Sequence, residues 1–164
     1  MTVAEMPIDA HHPAAPAVCR VRVWPLPPGS AHHAETSART IIRGVLRATG
    51  TGRDEVLEAE TIVAELAVNA VQHAIPPYEL RIVFMGRVWP TWCEVADGGP
   101  GLERVRQRLG GPAVVSELTE RGRGLVMVSG LSAGRCAAYL TTVCQTQAAG
   151  KAVGFALPGA GGVA

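Results

Sequence analysis

The chain has no surplus of one charge. Over 164 residues its formal net charge is +1, and its arginines are scattered rather than clustered. That balance argues against non-specific nucleic-acid binding, which needs a basic face. Nearly half the residues are hydrophobic, yet no run approaches the roughly 18 consecutive apolar residues of a membrane span. The opening residues lack a basic stretch followed by an apolar core, so no secretory signal is read there. No C-x-x-C pair occurs: Cys19, Cys93, Cys136 and Cys144 stand far apart. They read as reduced, mostly buried thiols of a cytoplasmic protein, and a structural zinc site is not expected. No internal repeat and no dividing linker is visible. The expectation is a flexible leader over residues 1–16, one domain over 17–158 and a frayed tail over 159–164, with a core of adequate size for independent folding.

The most informative stretch covers residues 60–74. Ile62, Leu66, Ala70 and Val63, Ala67, Val71 recur at helical spacing and form an apolar side. Glu65, Asn69 and His73 follow one another four apart, a rise of about 6 Å per step on a helix, so they stand in one polar stripe. Such a stripe suits a base held beside a metal ligand, and it equally suits an ordinary solvated helix face. Pro76-Pro77 stops the helix, because proline has no N–H to continue it.

The other elements follow from period and punctuation. Residues 18–24 alternate apolar and polar as a strand does, and Pro25 to Gly29 is expected to break it. Ser30 reads as the N-cap of an amphipathic helix carrying Ala34, Ala38, Ile41, Ile42, Val45 and Leu46; Gly50-Thr51-Gly52 separates it from the central helix. His11-His12 and His32-His33 read as solvated residues rather than metal ligands. Residues 79–85 and 91–96 predict two strands, the second running into Asp97-Gly98-Gly99-Pro100-Gly101. Residues 102–121 are helical at their start; 125–131 form a short apolar helix; 137–145 and 152–157 predict two closing strands. Helices grouped beside hairpin-joined strands favour an α+β, two-layer sandwich over a doubly wound parallel sheet.

Glycine clusters on both sides of residues 102–121 suggest a backbone that comes close to a phosphate or a base. The familiar phosphate motifs nevertheless fail. A dinucleotide fingerprint from Gly99 needs glycine or alanine where Arg104 stands, and one from Gly122 needs it at Met127. A P-loop ending at Gly150-Lys151 needs glycine at Gln145 and a hydroxyl residue at Ala152. The eukaryotic protein-kinase set, with its strand lysine and catalytic-loop Asp and Asn, is missing.

Three segments remain, in order: Glu65-Leu66-Ala67-Val68-Asn69-Ala70, Asp97-Gly98-Gly99-Pro100-Gly101 and Gly122-Arg123-Gly124-Leu125. Together they resemble the N, G1 and G2 boxes of the GHKL ATPase superfamily, which includes gyrase and the sensor histidine kinases. Within it, the small size, the Asn-Ala-x-x-His-Ala ending at Ala74 and the closing Gly-Lys-Ala-Val-Gly-Phe-Ala-Leu are similar to the anti-sigma-factor serine/threonine kinases of Gram-positive bacteria.

That resemblance implies a Bergerat-type ATP-binding sandwich, with helices on one face of a mixed, mostly antiparallel sheet. It implies Asn69 as a ligand of Mg²⁺, and Glu65 as the general base on the attacking hydroxyl or water. Asp97 would accept a hydrogen bond from the adenine amino group, with Gly99 and Gly101 letting the chain pass the base and hinge a lid. Arg121, Gly122, Arg123, Gly124 and Leu125 would bring charge, backbone N–H groups and a helix N-terminus to the phosphates of ATP. Arg121 and Arg123 read equally as solvated loop residues, and His73 receives only a supporting role. The implied partners are an anti-sigma-factor antagonist, as phosphoacceptor, and a sigma factor, without direct contact to nucleic acid or membrane. The apolar first strand and helix hint at a homodimer surface. A nucleotide-dependent binding switch without catalysis is the alternative. The last box departs from the family pattern, with Ala152 in place of threonine and Gly154 in place of an aromatic residue. The catalytic half of a sensor histidine kinase is not expected, because the roughly 30 residues before Ser30 would be too few for the stable helical hairpin that normally precedes such an ATP domain.

Overall fold

A computed structural model describes residues 3–5, 19–86, 89–110 and 123–159. Alternation in the sequence builds most of its sheet. Strands β1 (Val3–Glu5), β2 (Cys19–Leu26), β3 (Tyr78–Met85), β4 (Trp89–Asp97), β5 (Cys136–Thr142) and β6 (Ala149–Ala156) form one sheet in the order β1-β2-β3-β4-β6-β5. Each described ladder is antiparallel. The expected mixed sheet is therefore corrected in detail: β3–β4 and β5–β6 follow one another as hairpins, and β6 returns antiparallel beside β4.

Side chains of alternate parity divide the two faces of the sheet. Leu80, Ile82 and Phe84 of β3, Cys93 and Val95 of β4, and Val153 and Phe155 of β6 belong to one buried core. That core is closed by α1 (Ala31–Ala48) and α2 (Arg53–His73), with α3 (Leu102–Gly110) and α4 (Arg123–Leu131) covering its far end. Helix α1 begins where Ser30 Oγ accepts the N–H of His33 at 3.4 Å, and buries the stripe Ala34, Ala38, Ile42, Leu46. Helix α2 begins where the Glu55 carboxylate accepts the Gly52 N–H at 3.2 Å. Nine of its residues are buried, Glu60 among them, so it is the central helix. Glu60 is held by Arg43 of α1 through two contacts of 2.6 Å, and that hydrogen bonding keeps its carboxyl below the usual range.

The opposite face carries a layer of polar side chains. Glu79 and Arg81 of β3 and Glu94 of β4 are almost fully buried there. Arg81 binds Glu79 at 2.7 Å, then reaches past β4 and β6 to Thr141 Oγ1 at 2.9 Å and the Thr142 carbonyl at 2.6 Å. Glu79 also accepts the N–H groups of Cys144 and Gln145, at 3.1 and 2.7 Å. Trp92 donates to Glu94 at 3.1 Å and to Tyr139 at 3.2 Å, and Tyr139 donates to Glu94. These side chains fit because β6 presents only Gly150, Ala152, Gly154 and Ala156 on that parity.

Several boundaries differ from the expectation. Pro25 does not end β2, which runs to Leu26: it pairs with Glu79 of β3, while β1 covers only Arg20 to Arg22 and leaves the proline on a stretch of sheet edge. The leader was expected to be unstructured, but Val3–Glu5 adds a short strand to that edge. At the other end β5 stops at Thr142, because residues 144–146 turn, and β6 starts earlier than expected, at Ala149.

Candidate functional site

One cavity of about 620 Å³ opens between the end of α2, the ends of β4 and β6, and helices α3 and α4. Its size lies within the range of small-molecule sites, about 300–1,000 Å³. Leu66, Val95, Val105, Leu125 and Val153 give it apolar walls; Asn69, His73, Asp97, Arg104, Arg108 and Lys151 give it polar ones.

Asp97 is the last residue of β4 and shares parity with the core residues Cys93 and Val95, so its carboxylate points to the helix side. It is only 3% exposed. Its Oδ1 accepts the Gly99 N–H at 2.8 Å and the Lys151 ammonium at 2.5 Å, whereas Oδ2 has no hydrogen-bond partner among the described residues. Burial raises the carboxyl above its ordinary range, against the opposing pull of Lys151 and of the Gly99 N–H. Lys151 is Asp97's register partner across β4–β6 and also donates to the Gly99 carbonyl at 3.2 Å. Gly101 has φ +93°, a conformation that glycine adopts without penalty, and there the chain leaves the β4 loop for α3.

Glu65 and Asn69 stand one turn apart on α2, both half-buried. The second turn of this contact comes from α4. A Cβ at Gly124 would lie 2.5 Å from Glu65 Oε2 and 3.1 Å from Asn69 Nδ2, so a side chain there would force the Glu65 carboxylate or the N-terminal turn of α4 to shift. Asn69 Nδ2 is buried with no hydrogen-bond partner among the described residues. Turning the carboxamide over would present an oxygen at the same place. A single amide oxygen, supplemented by phosphates and water, suits Mg²⁺, which takes few ligands from the protein. Among the described residues no group of three or more His, Cys, Asp or Glu could cage a metal by itself.

The expected site residues thus divide. Asn69, Asp97, Gly101 and Leu125 line one cavity. Glu65 adjoins it through Gly124 without forming part of its wall, and Gly99 holds Asp97 from behind. Arg123 opens α4; Arg121 and Gly122 lie outside the described residues. Three cavity residues went unrecognised in the sequence. Lys151 falls on the parity of Val153 and Phe155, so a charge on the apolar side of β6 was the available signal. Arg104 and Arg108 are four apart, which puts them on one side of α3.

A two-layer α+β sandwich with a cavity between its central helix and strand ends has the form of a small-molecule binding domain. The model of the histidine kinase-like ATPase domain family matches residues 28–135, and the chain belongs to that family. The match takes in α1 to α4 and both glycine clusters. No curated protein matches the chain. No helix among the described residues is long and apolar enough to cross a membrane.

Proposed function

We propose that this domain is an ATP- and Mg²⁺-dependent protein serine/threonine kinase that acts as an anti-sigma factor, phosphorylating an antagonist protein. The observation that carries the reading is the convergence of Glu65, Asn69 and Gly124 beside the cavity. Asn69 supplies the oxygen for the metal, and Mg²⁺ when bound offsets phosphate charge. The first turn of α4 supplies backbone N–H groups and a favourable dipole for the phosphates. Arg104 and Arg108 add positive charge from α3. Glu65 lies beside Gly124, and in this reading it accepts the proton of an incoming serine hydroxyl. Asp97 and the apolar walls receive the base.

Incubation with Mg-ATP and candidate antagonists should transfer phosphate to a serine, and Glu65→Ala should stop the transfer while nucleotide still binds. Binding of nucleotide without transfer to any candidate would count against the kinase. It would favour a second reading, a nucleotide-dependent protein-binding switch, for which the position of Glu65 outside the cavity wall is the specific support. In that case calorimetry would find partner affinity dependent on ATP and unchanged by Glu65→Ala.

A further inference from the structure

The Asp97–Lys151 pair is unusual for its position. Two opposite charges face each other across adjacent strands on the helix side of the sheet, each about 95% buried or more. Both line the cavity. A surface pair of this kind would contribute little and vary freely. Buried, it constrains geometry: the ammonium and the Gly99 N–H share Oδ1, and the ammonium is tied in turn to the Gly99 carbonyl. The carboxylate plane is then fixed, and the other oxygen is left without a hydrogen-bond partner among the described residues.

We propose that Lys151 is a positioning residue that holds Asp97 ionised with one free acceptor oxygen, and so sets a preference for adenine over guanine in this cavity. An ionised carboxylate only accepts hydrogen bonds. The exocyclic amine of adenine donates to it, while guanine carries an oxygen at the same place and would be repelled. A protonated Asp97 reverses the choice, because its O–H can donate to that guanine oxygen. The inference rests on the reading that the cavity takes ATP, and it adds the residue that enforces the base choice.

The surroundings of Asp97 are consistent with this assignment to Lys151. From β3, its register partner Tyr78 is buried and donates to the Ala74 carbonyl at 3.3 Å. From α2 and α3, His73, Arg104 and Arg108 line the same cavity and are exposed. Among the described residues, Lys151 is the one cationic group in hydrogen-bond contact with Asp97. Burial alone drives the carboxyl toward its neutral form, and the ammonium opposes it. Removing the ammonium should therefore extend protonation of Asp97 to higher pH.

The test is isothermal titration of the full chain with Mg-ATP and Mg-GTP across pH, for wild type, Lys151→Met and Lys151→Arg. In Lys151→Met, ATP should bind about tenfold more weakly near neutral pH, the cost of losing one charge-assisted hydrogen bond, with GTP little changed. The acid limb of ATP binding should move to higher pH, and Lys151→Arg, which keeps the charge, should restore the wild-type profile. An unchanged ATP-to-GTP ratio, or a parallel weakening of both nucleotides, would overturn the proposal. Should Lys151→Met fail to fold, Lys151→Gln is expected to shift the profile in the same sense, with the same outcomes deciding. If wild type binds ATP and the variants keep its selectivity, the role of Lys151 alone is refuted. If wild type binds neither nucleotide, the ATP reading fails and this inference with it.

Discussion

Gly124→Ala is a small change that separates binding from chemistry. The added Cβ would lie 2.5 Å from Glu65 Oε2, where real Cβ atoms essentially never come closer than 3.0 Å to such a neighbour. Either the carboxylate or the first turn of α4 must therefore move by about half an ångström or more. The carboxylate is the far end of a flexible side chain and yields more readily than a helix. Stability should change little, because relief of the clash is inexpensive and alanine is up to about 1 kcal/mol better than glycine inside a helix. Catalysis is less tolerant: a displacement of about 1 Å at a reacting group costs on the order of 10²-fold. A ten- to hundredfold loss is thus expected, about 1.4–2.7 kcal/mol in the barrier. Single-turnover hydrolysis of bound ATP, with ATP affinity and melting temperature measured alongside, is the assay. If Glu65 is the group displaced, the double variant with Glu65→Ala should be no slower than Glu65→Ala alone. Undiminished turnover in Gly124→Ala with nucleotide bound would refute the assignment of Glu65 to the chemistry.

Asn69→Ala should abolish the Mg²⁺ dependence of ATP binding, leaving the weak affinity seen in chelator, and retained dependence in calorimetry would remove Asn69 as the ligand. Arg104→Ala with Arg108→Ala should weaken ATP binding several-fold and flatten its salt dependence, since two exposed cations facing an anion act mainly through screened charge; equal salt slopes would exclude them. Glu79→Ala should cost about 3 kcal/mol in urea unfolding, because it leaves the buried Arg81 with the more distant Glu94 as its remaining carboxylate partner. Burial would raise the Glu79 carboxyl, but Arg81 and the N–H groups of Gln145 and Cys144 outweigh it and hold it below the usual range. Its stabilising contribution is therefore complete above the ordinary carboxylate pKa and is lost as pH falls through the depressed one. Glu79→Gln should accordingly unfold with a shallower dependence on acid than wild type.

The long elements were legible because each carries one unmixed signal. Helix α1 has four buried residues spaced four apart behind a serine cap, and α2 shows the same period up to Pro76. Asp97 and its glycines were legible as a strand running into a turn. Lys151 was not, because residues 149–151 hold no apolar residue larger than alanine and so gave no strand alternation, although they pair with β4 and β5. The substitution of glycine for an aromatic at position 154 was likewise opaque in one dimension. In the fold, Trp92 of the neighbouring strand lies against Gly154, so an aromatic residue covers that place from β4 instead. The approach of α4 to Glu65 is a contact between distant segments, and no local pattern encodes its distance.

The polar layer on the far side of the sheet has a mechanical meaning for the cavity. Arg81 acts as a strut from β3 to β5, and Glu79 pins the β5–β6 turn, so the strands bearing Asp97 and Lys151 are braced from behind. Opposite them stands α3, which buries no residue fully and is anchored to β5 by Arg106 donating to the Ala138 carbonyl at 3.0 Å. One wall is thus a stiff plate and the other a compliant one. The strain of filling the cavity should therefore fall on α3 rather than on the strands that carry Asp97 and Lys151.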